Sequence, residues 1–371
     1  MRVGIPRETA PRERRVALTP DVVQSHLDHD RTVLIESDAG AASGYTDAQY
    51  RSAGAEIVDR ASALASEVVI CVQPIPRASL AQMGSSSWLI GLINPLGEPE
   101  SMRDLADRGI VAFSLEQLPR TTIAQSMDVL SSQATAGGYA AALLGAREFP
   151  GFLPMLITAA GTLPPAKALV LGVGVAGLQA IATLRRLGAA VSAYDIRPET
   201  KEQVESLGAK FVAAPTQSFD EGGYARAVDD DLRMQQQEAL AAVVAKTDIL
   251  ITTAQVPGRT APVLVTAEMV QSMAPGSVIV DMAAGSGGNV VGSVADEPQL
   301  VGGVSILGPT DLPSQVPAAA SRMFAKNATT FLNHLTTGES LDFDDDIVDA
   351  TCITSSGAVR NERVLTALDA R

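Results

Sequence analysis

The sequence predicts an α/β protein made of two domains with parallel sheets, with a cleft between them and long helices that link them. Short apolar runs alternate with amphipathic helical patterns along the first third of the chain, as in the β-α-β units of parallel sheets. A glycine-rich turn near residue 172 begins a second series of such units. The chain has 371 residues, which is enough for two domains of ordinary size.

The first domain is predicted from five short apolar runs and the helical patterns between them. The predicted strands are residues 2–5, 32–36, 68–72, 88–93 and 110–113, with helices at 20–29 and 47–53. A long helical stretch follows at 121–147, where Gly137 and Gly138 interrupt the pattern, and Pro164 and Pro165 then break the chain. We place this domain at residues 1–127, completed by residues 311–371.

The second domain opens with a fingerprint for dinucleotide binding. An apolar run ends at Leu171, and Gly172, Gly174 and Gly177 follow with the spacing G-x-G-x-x-G. The first glycine of this motif allows a tight turn, the second lets the backbone approach a pyrophosphate, and the third lets the helix pack close to the strand. Unpaired N–H groups at the helix start would bind the phosphates. Both domains are therefore expected to be Rossmann-like, the alternative here being a plain glycine-rich βα turn.

Asp195 ends the second strand of this fingerprint, 18 residues after Gly177, where a carboxylate would bind the adenosine ribose. It would repel a 2′-phosphate and so favours NAD(H) over NADP(H), although Arg197 is a residue type that accepts such a phosphate. FAD is less expected, because flavoproteins of this kind usually carry the fingerprint at their N-terminus. The predicted contacts to the cofactor here are Gly172, Gly174, Val175, Ala176, Gly177, Asp195, Ile196 and Arg197.

The remainder of the second domain, which we place at 128–310, continues the alternation. A helix is predicted at 199–206, and strands at 210–213, 248–252, 277–282 and 301–307. A polar, irregular insertion at about 215–245 is predicted to be a mobile loop, since long loops in compact domains often act as lids. Residues 318–335 predict a helix that returns to the first domain, and TCITSSGAV at 351–359 predicts a hairpin.

Composition excludes several classes of partner. A net charge of −14 and a pI near 4.7 argue against nucleic acid or an anionic membrane surface. The two cysteines, Cys71 and Cys352, are far apart and suit a reducing cytoplasm. No apolar signal segment opens the chain, and we expect no direct membrane span, because the uncharged run at 168–184 holds the glycine fingerprint.

The usual acid and base groups of a dehydrogenase are scarce in this sequence. Its only histidines are His26 and His29, in a segment that reads as exposed, and His334, which we expect to be structural. Lys167 is the first lysine of the chain. One polar cluster does occur at 120–132, where Gln125 and Asp128 would share a helix face at i, i+3. It is either a group that orients a carboxamide or a capped, solvated helix start.

Several motifs together resemble the NAD(H)-binding alpha subunit of proton-translocating NAD(P) transhydrogenase, in its split-subunit form. They are RVALTP, RTTIAQSMDVLSSQATAGGY, the stretch from ITAAGT through the glycine fingerprint, and TDILITTAQVPG. The QSMDVLSSQ stretch is specific to that family. The resemblance implies transfer of hydride between NADH on this chain and NADP⁺ on a partner subunit, coupled to proton translocation by membrane partners. Such a transfer needs alignment of two nicotinamide rings and no substrate base.

The resemblance also implies roles for individual residues. Arg120, Gln125, Asp128 and Ser131 match the positions that hold the nicotinamide and are the catalytic residues expected. The insertion matches a mobile loop with Gly223, Tyr224 and Gln236 near the cofactor, and Gln255 matches a contact on the adenine side. Three positions depart from the family pattern: Ala140 replaces an arginine, Gly285 an acidic residue, and Pro309 a histidine.

The family further implies a homodimer that docks on a membrane-embedded subunit and on an NADP(H)-binding beta subunit. We therefore expect a cytoplasmic protein that is peripheral on the inner face of the membrane, held there through its partners.

Alanine dehydrogenase is a related family and supplies the main alternative, an NAD-dependent amino-acid dehydrogenase. Alanine dehydrogenases are similar to this chain at GIPRE, RVALTP and GVGVAG, but their lysine, histidine and aspartate match Gln73, Asn94 and Gly285 here. All three differences remove acid/base or carbonyl-polarising groups. A further alternative is a non-catalytic module that senses NAD(H).

Overall fold

The structure, a computed structural model, describes residues 1–213, 230–255, 260–338 and 340–369, and gives no side chains for 230–236. The chain divides into two compact units. The first unit comprises Met1–Gln133 and Pro313–Arg371, and the second comprises Ala134–Leu312. Both are α/β, as the sequence predicts, and each has its own sheet.

The chain enters the first unit through alternating strands and helices. In order they are β1 Arg2–Ile5, α1 Pro20–Leu27, β2 Thr32–Glu36, α2 Asp47–Ser52, β3 Glu56–Val58, α3 Arg60–Leu64, β4 Val68–Ile70, β5 Trp88–Gly91, α4 Pro99–Asp107, β6 Val111–Ser114 and α5 Val129–Glu148. The predicted strands of this region are all present, with ends that differ by up to two residues. The chain passes from the first unit to the second within α5.

The second unit contains nine strands and four helices among its described residues. They are β7 Leu156–Thr158, β8 Gly161–Leu163, β9 Lys167–Leu171, α6 Val175–Arg186, β10 Ala190–Tyr194, α7 Thr200–Ser206, β11 Lys210–Val212, α8 Asp230–Val244, β12 Ile249–Thr252, α9 Ala267–Ser272, β13 Val278–Asp281, β14 Gln299–Val301 and β15 Val304–Leu307. The chain then returns to the first unit with α10 Pro317–Leu335, α11 Asp346–Thr351, β16 Cys352–Ser355, β17 Ala358–Val359 and α12 Glu362–Asp369.

The two large sheets share one strand order. The first sheet runs β17-β16-β6-β5-β4-β1-β2-β3, and the second runs β11-β10-β9-β12-β13-β15-β14. Pairing is parallel except at β14 and at the β16–β17 hairpin, which is antiparallel to β6. The order reverses between β1 and β4 in one sheet and between β9 and β12 in the other. We call each of these places a switch point, because ligands of doubly wound folds bind there, beyond the carboxyl ends of the strands.

Buried side chains cover both faces of the first sheet. Val3, Ile35 and Phe113 pack with Phe331 of α10 on one face, where the Phe113 and Phe331 rings lie 5.9 Å apart edge to face. Val69 and Leu89 pack on the other face with the residues around α4 and α12. Coverage of both faces explains why these strands read as continuous apolar runs.

Several details differ from the sequence prediction. Gly137 and Gly138 do not interrupt the helix but lie inside α5. A Cβ at Gly138 would stand 2.1 Å from the carbonyl oxygen of Ala176, so the glycine permits close packing against the start of α6. The strand predicted at 301–307 is instead the β14–β15 hairpin, which turns at Gly302 and Gly303.

The irregular insertion is also partly wrong as predicted. Its second half, Asp230–Val244, is the helix α8, while residues 214–229 lie outside the described part of the chain. The β7–β8 hairpin, α11 and α12 were not predicted. The two helices are short, and α11 follows a run of aspartates that reads as a polar loop.

Candidate functional site

The second switch point is built around the turn between β9 and α6. Gly172 takes a φ of +92°, which only glycine adopts without strain, and α6 begins at Val175. A Cβ at Gly177 would lie 2.0 Å from the carbonyl oxygen of Gly172, so this position must remain glycine for the helix to pack on the turn. At Gly174, by contrast, no atom lies within 4 Å of the position of a Cβ, which leaves space over the turn.

The start of α6 has hydrogen-bonding capacity to spare. Its N-cap is Gly174, which has no side chain to accept from the first N–H groups. Unpaired amides at a helix start, next to a tight glycine turn, form a site for phosphate. The residues present therefore fit the pyrophosphate of a dinucleotide.

Asp195 lies beside this turn, at the end of β10, and is 7% exposed. Its Oδ2 accepts hydrogen bonds from the Val173 amide at 2.7 Å and from Arg197 Nη2 at 2.9 Å. Its Oδ1 accepts from the Arg197 amide at 2.9 Å and from Arg197 Nε at 3.0 Å. Burial alone would raise the pKa of Asp195, but the bonds from Arg197 and Val173 outweigh it and lower the pKa, so the carboxylate is charged.

Neighbouring loops hold the turn in place. Thr253 Oγ1, after β12, donates to the carbonyl oxygen of Gly172 at 3.0 Å. The amide side chain of Asn289, which is fully buried, accepts from the Ala254 amide and donates to the carbonyl oxygens of Ala254 and Pro262. Asn289 is fixed in turn by Asp281, whose carboxylate accepts its backbone N–H at 2.9 Å. Asp281 and Asn289 were given no role in the sequence analysis, and an acid at a strand end was the available signal.

The remaining predicted contacts of this unit are only partly described. Gln255 is exposed and donates from Nε2 to the Met282 carbonyl oxygen at 2.7 Å. Val175 and Ile196 are exposed apolar residues beside the turn and the strand end. Gly223 and Tyr224 lie outside the described residues, and so does the side chain of Gln236.

The first switch point is filled by side chains. Glu8, three residues after β1, accepts the backbone N–H of Val72 at 2.6 Å and that of Gln73 at 3.1 Å. Gln73 Nε2 donates to Glu13 at 2.9 Å, and Glu13 forms a two-pronged ion pair with Arg15. The side chains of Arg15 and Glu13 are 5% and 3% exposed. Ser314 donates a further short hydrogen bond to Glu13.

The two acids of this network differ in proton affinity. Although part of residue Glu8 is exposed, its carboxyl group is desolvated, which raises its pKa to about 8 against the opposing bonds from Val72 and Gln73. Desolvation acts on Glu13 as well, but the hydrogen bonds and charge of Arg15 outweigh it and lower the pKa to about 2. The Arg15–Glu13 pair is therefore charged, while Glu8 is protonated at neutral pH.

Residues 120–131 do not form one helix, so the predicted shared face of Gln125 and Asp128 is wrong. A 3₁₀ turn at Ala124–Met127 ends at Asp128, whose ψ of 88° breaks the helical path before α5. Asp128 Oδ2 and Oδ1 accept from the hydroxyl and the amide of Ser131 at 2.6 and 2.9 Å, which caps the start of α5. The capped helix start is therefore present for these two residues.

Gln125 and Arg120 lie before this cap and are exposed. Within the described part of the chain, their side chains make no hydrogen bond. The turn itself is anchored, because Ala124 and Met127 are buried and Asn327 donates to the Ser126 carbonyl oxygen at 2.8 Å. The anchored backbone thus presents two polar side chains that are unpaired among the described residues.

The histidines offer no free acid or base among the described residues. His26 is buried, not exposed as its segment suggested, and burial lowers its pKa to about 4; its Nε2 lies 3.0 Å from Thr329 Oγ1. His29 bonds its own helix, and His334 pairs with Asp345 at 3.1 Å. In the same residues, no cluster suited to a metal ion and no helix able to cross a membrane is found.

Comparison with known proteins identifies relatives along the whole chain. Residues 4–137 match the N-terminal domain model of alanine dehydrogenase/PNT, and residues 141–362 match the C-terminal domain model. The first of the separate polypeptides that make up the NAD(P) transhydrogenase alpha subunit of Rhodospirillum rubrum is 42% identical over 97% of both chains. The solved transhydrogenase of Sinorhizobium meliloti is 43% identical, with a TM-score of 0.90 over 97% of this chain and 100% of that one. A solved L-alanine dehydrogenase is more distant, at 27% identity and a TM-score of 0.85, over 100% of this chain and 99% of that one.

Proposed function

Because the chain belongs to the family of NAD(P) transhydrogenase alpha subunits, with alanine dehydrogenase as a more distant relative, we propose that it is the NAD(H)-binding component of a proton-translocating transhydrogenase. In this role it passes hydride between NADH and an NADP⁺ held by a partner subunit. Membrane-embedded partners couple the transfer to proton translocation.

One observation separates this proposal from an amino-acid dehydrogenase. The three positions that match the lysine, histidine and aspartate of alanine dehydrogenases hold Gln73, Asn94 and Gly285. None of these residues takes up a proton at neutral pH. Oxidation of an amine requires a proton acceptor, whereas transfer between two nicotinamides requires none.

The first unit adds an argument from charge. A substrate carboxylate would need an available cation, and Arg15 is the buried arginine of the first switch point. Both of its terminal nitrogens are committed, one to Glu13 at 2.5 Å and the other to Gln133 at 2.9 Å. A buried charge already paired in this way would lose its partner if it turned to a substrate.

We assign the cofactor contacts as follows. The turn at Gly172–Gly177 and the start of α6 bind the pyrophosphate, and Asp195 binds near the adenosine ribose. Arg120, Gln125, Asp128 and Ser131 hold and orient the nicotinamide and its ribose. Further contacts are assigned to Val175, Ala176, Ile196, Arg197, Gly223, Tyr224, Gln236 and Gln255. NAD(H) bound there supplies the hydride, and the task of these residues is alignment.

The proposed assembly is a homodimer of this chain with an NADP(H)-binding beta subunit and a membrane-embedded subunit. The hairpin of β7 and β8 supports self-association, since it forms a separate two-stranded sheet with exposed apolar side chains. Ile157 is 78% exposed, and Met155 and Leu163 lie on the same hairpin. Partner subunits would hold the chain on the cytoplasmic face of the membrane.

The proposal is tested by following deuterium from NADH. The purified chain is mixed with the NADP(H)-binding beta-subunit domain of a relative, with NADH deuterated at C4 and NADP⁺. We expect deuterium in the NADPH and none in the solvent. A parallel assay with NAD⁺ and alanine should show no turnover. Turnover with alanine would instead support the amino-acid dehydrogenase, and NADH binding without any transfer would support the NAD(H)-sensing module.

A further inference from the structure

Asp195 has no acceptor position left for a ligand. A carboxylate offers about four lone-pair sites. In Asp195 they are taken by the amides of Val173 and Arg197 and by Nε and Nη2 of Arg197, at 2.7 to 3.0 Å. A ribose hydroxyl therefore has to displace one of these donors before it can bind the carboxylate.

The four donors differ in how easily they leave. The two amides belong to the glycine turn and to the residues after β10, and losing either would change the backbone of the site. The guanidinium of Arg197 is on a long side chain that is 50% exposed, whereas the side chain of Asp195 is 6% exposed. Water can replace the contacts of the arginine at little cost, so the guanidinium is the donor that leaves.

We propose that Arg197 is an internal competitor of the cofactor: its guanidinium occupies the ribose-hydroxyl positions of Asp195, and NAD(H) binds only when it swings away. This inference rests on the proposed function of the second switch point as the NAD(H) site. It makes Arg197 a specificity-determining residue, because the displaced cation stands next to the ribose and can pair with a 2′-phosphate. The pair thereby weakens binding of NAD(H) and moderates the rejection of NADP(H) by Asp195.

The expected size of the effect follows from the type of ion pair. A half-exposed pair contributes up to about 1 kcal/mol, and releasing it would reduce affinity by about fivefold. Replacing Arg197 with methionine removes the competitor and keeps much of the apolar stem. The Arg197→Met variant should therefore bind a ribose-hydroxyl ligand about fivefold more tightly than the unaltered chain.

Calorimetric titration with three probes tests the inference on the full chain. The probes are ADP, 2′,3′-dideoxy-ADP and adenosine 2′,5′-bisphosphate. We expect Arg197→Met to bind ADP about fivefold more tightly, to bind the dideoxy compound as before, and to bind the bisphosphate more weakly. Arg186→Met is the matched control, since Arg186 is exposed in the last turn of α6, at the other end of the helix, and its loss changes the net charge equally.

Weaker or unchanged ADP binding by Arg197→Met would overturn the inference, and so would an equal gain for ADP and the dideoxy compound. The deuterium assay separates this failure from failure of the proposed function. Deuterium transfer without a gain in ADP affinity would reject the competitor alone. If the unaltered chain bound neither NADH nor ADP, both proposals would be rejected.

Discussion

The two switch points have the same strand order but different contents. In the first unit, Glu8 follows β1 and its carboxyl group accepts the amides of Val72 and Gln73 after β4. In the second unit, a glycine turn follows β9, and the first amides of α6 have no side-chain cap. A side chain thus satisfies the amides of one sheet edge, whereas the other edge leaves amides for a phosphate.

Charge distribution reinforces the difference. The charges of the first switch point compensate one another within a buried network of Glu13 and Arg15, with side chains at most 5% exposed. At the second switch point the partner of Asp195 is a half-exposed arginine. The comparison teaches that strand order creates the place for a site, and that the residues after the first strand decide whether it is closed or open.

The largest effect is expected from breaking the closed network. Arg15→Met leaves the Glu13 carboxylate buried without its partner, and should lower the free energy of unfolding by about 3–5 kcal/mol. Urea denaturation measures this change, and NADH affinity of the folded variant should be unchanged. The control is Arg103→Met, which removes an exposed pair with Glu100 and should cost less than about 1 kcal/mol. Lost NADH affinity in folded Arg15→Met would show that the first switch point takes part in binding.

A somewhat smaller effect is expected from closing the open site. The added Cβ of Gly177→Ala would lie 2.0 Å from the Gly172 carbonyl oxygen and force α6 away from the turn. We expect a loss of about 1–3 kcal/mol in stability and a fall of about tenfold or more in NADH affinity, measured by calorimetry. Gly84→Ala is the control, because its Cβ would meet no atom within 4 Å. Unchanged NADH affinity in Gly177→Ala would argue against the turn as the pyrophosphate site.

Ring alignment should be separable from cofactor binding. Gln125→Asn shortens an exposed side chain by one methylene and should slow hydride transfer by about tenfold or more, while NADH affinity changes by less than about twofold. Stopped-flow transfer rates and NADH titrations measure the two effects. Gln82→Asn, at another exposed glutamine in a 3₁₀ turn, should change neither. Equal losses in rate and affinity would show that Gln125 binds the cofactor without setting its alignment.

The smallest effect should come from the proton on Glu8. Its pKa is raised to about 8 in the folded chain from an ordinary value near 4.5, so its stabilising contribution is complete below pH 4.5 and is lost as the pH rises through 8. Between pH 7 and pH 8 the loss is about 1 kcal/mol, or about 2–4 °C in Tm. Calorimetric scans of Glu8→Gln should lack this step. A step of equal size in the variant would assign it to another group.

Much of the fold was accessible from the sequence, because its signals are local. Apolar runs marked the strands on both sides of each switch point, and the spacing of Gly172, Gly174 and Gly177 marked the turn. Details that depend on distant partners were not accessible. Gly138 reads as a helix breaker until Ala176 is known to pack against it, and His26 reads as exposed until Thr329 is placed beside it.

The closed network shows the same limit. Glu13 and Ser314 are 301 positions apart in the chain, and Glu8 and Val72 are 64 apart. No spacing rule links such residues, so a sequence pattern could not show that Arg15 is already paired. The cap formed by Asp128 and Ser131 was readable as an alternative, since residues three apart can cap a helix start.

The most direct test of the account is the number and position of NADH molecules bound to one chain. A crystal structure with NADH, together with a calorimetric titration, measures both. The account predicts one NADH per chain, with its pyrophosphate at the Gly172–Gly177 turn and no nucleotide beside Glu8. A nucleotide beyond the carboxyl ends of β1 and β4, or none beyond those of β9 and β12, would contradict it.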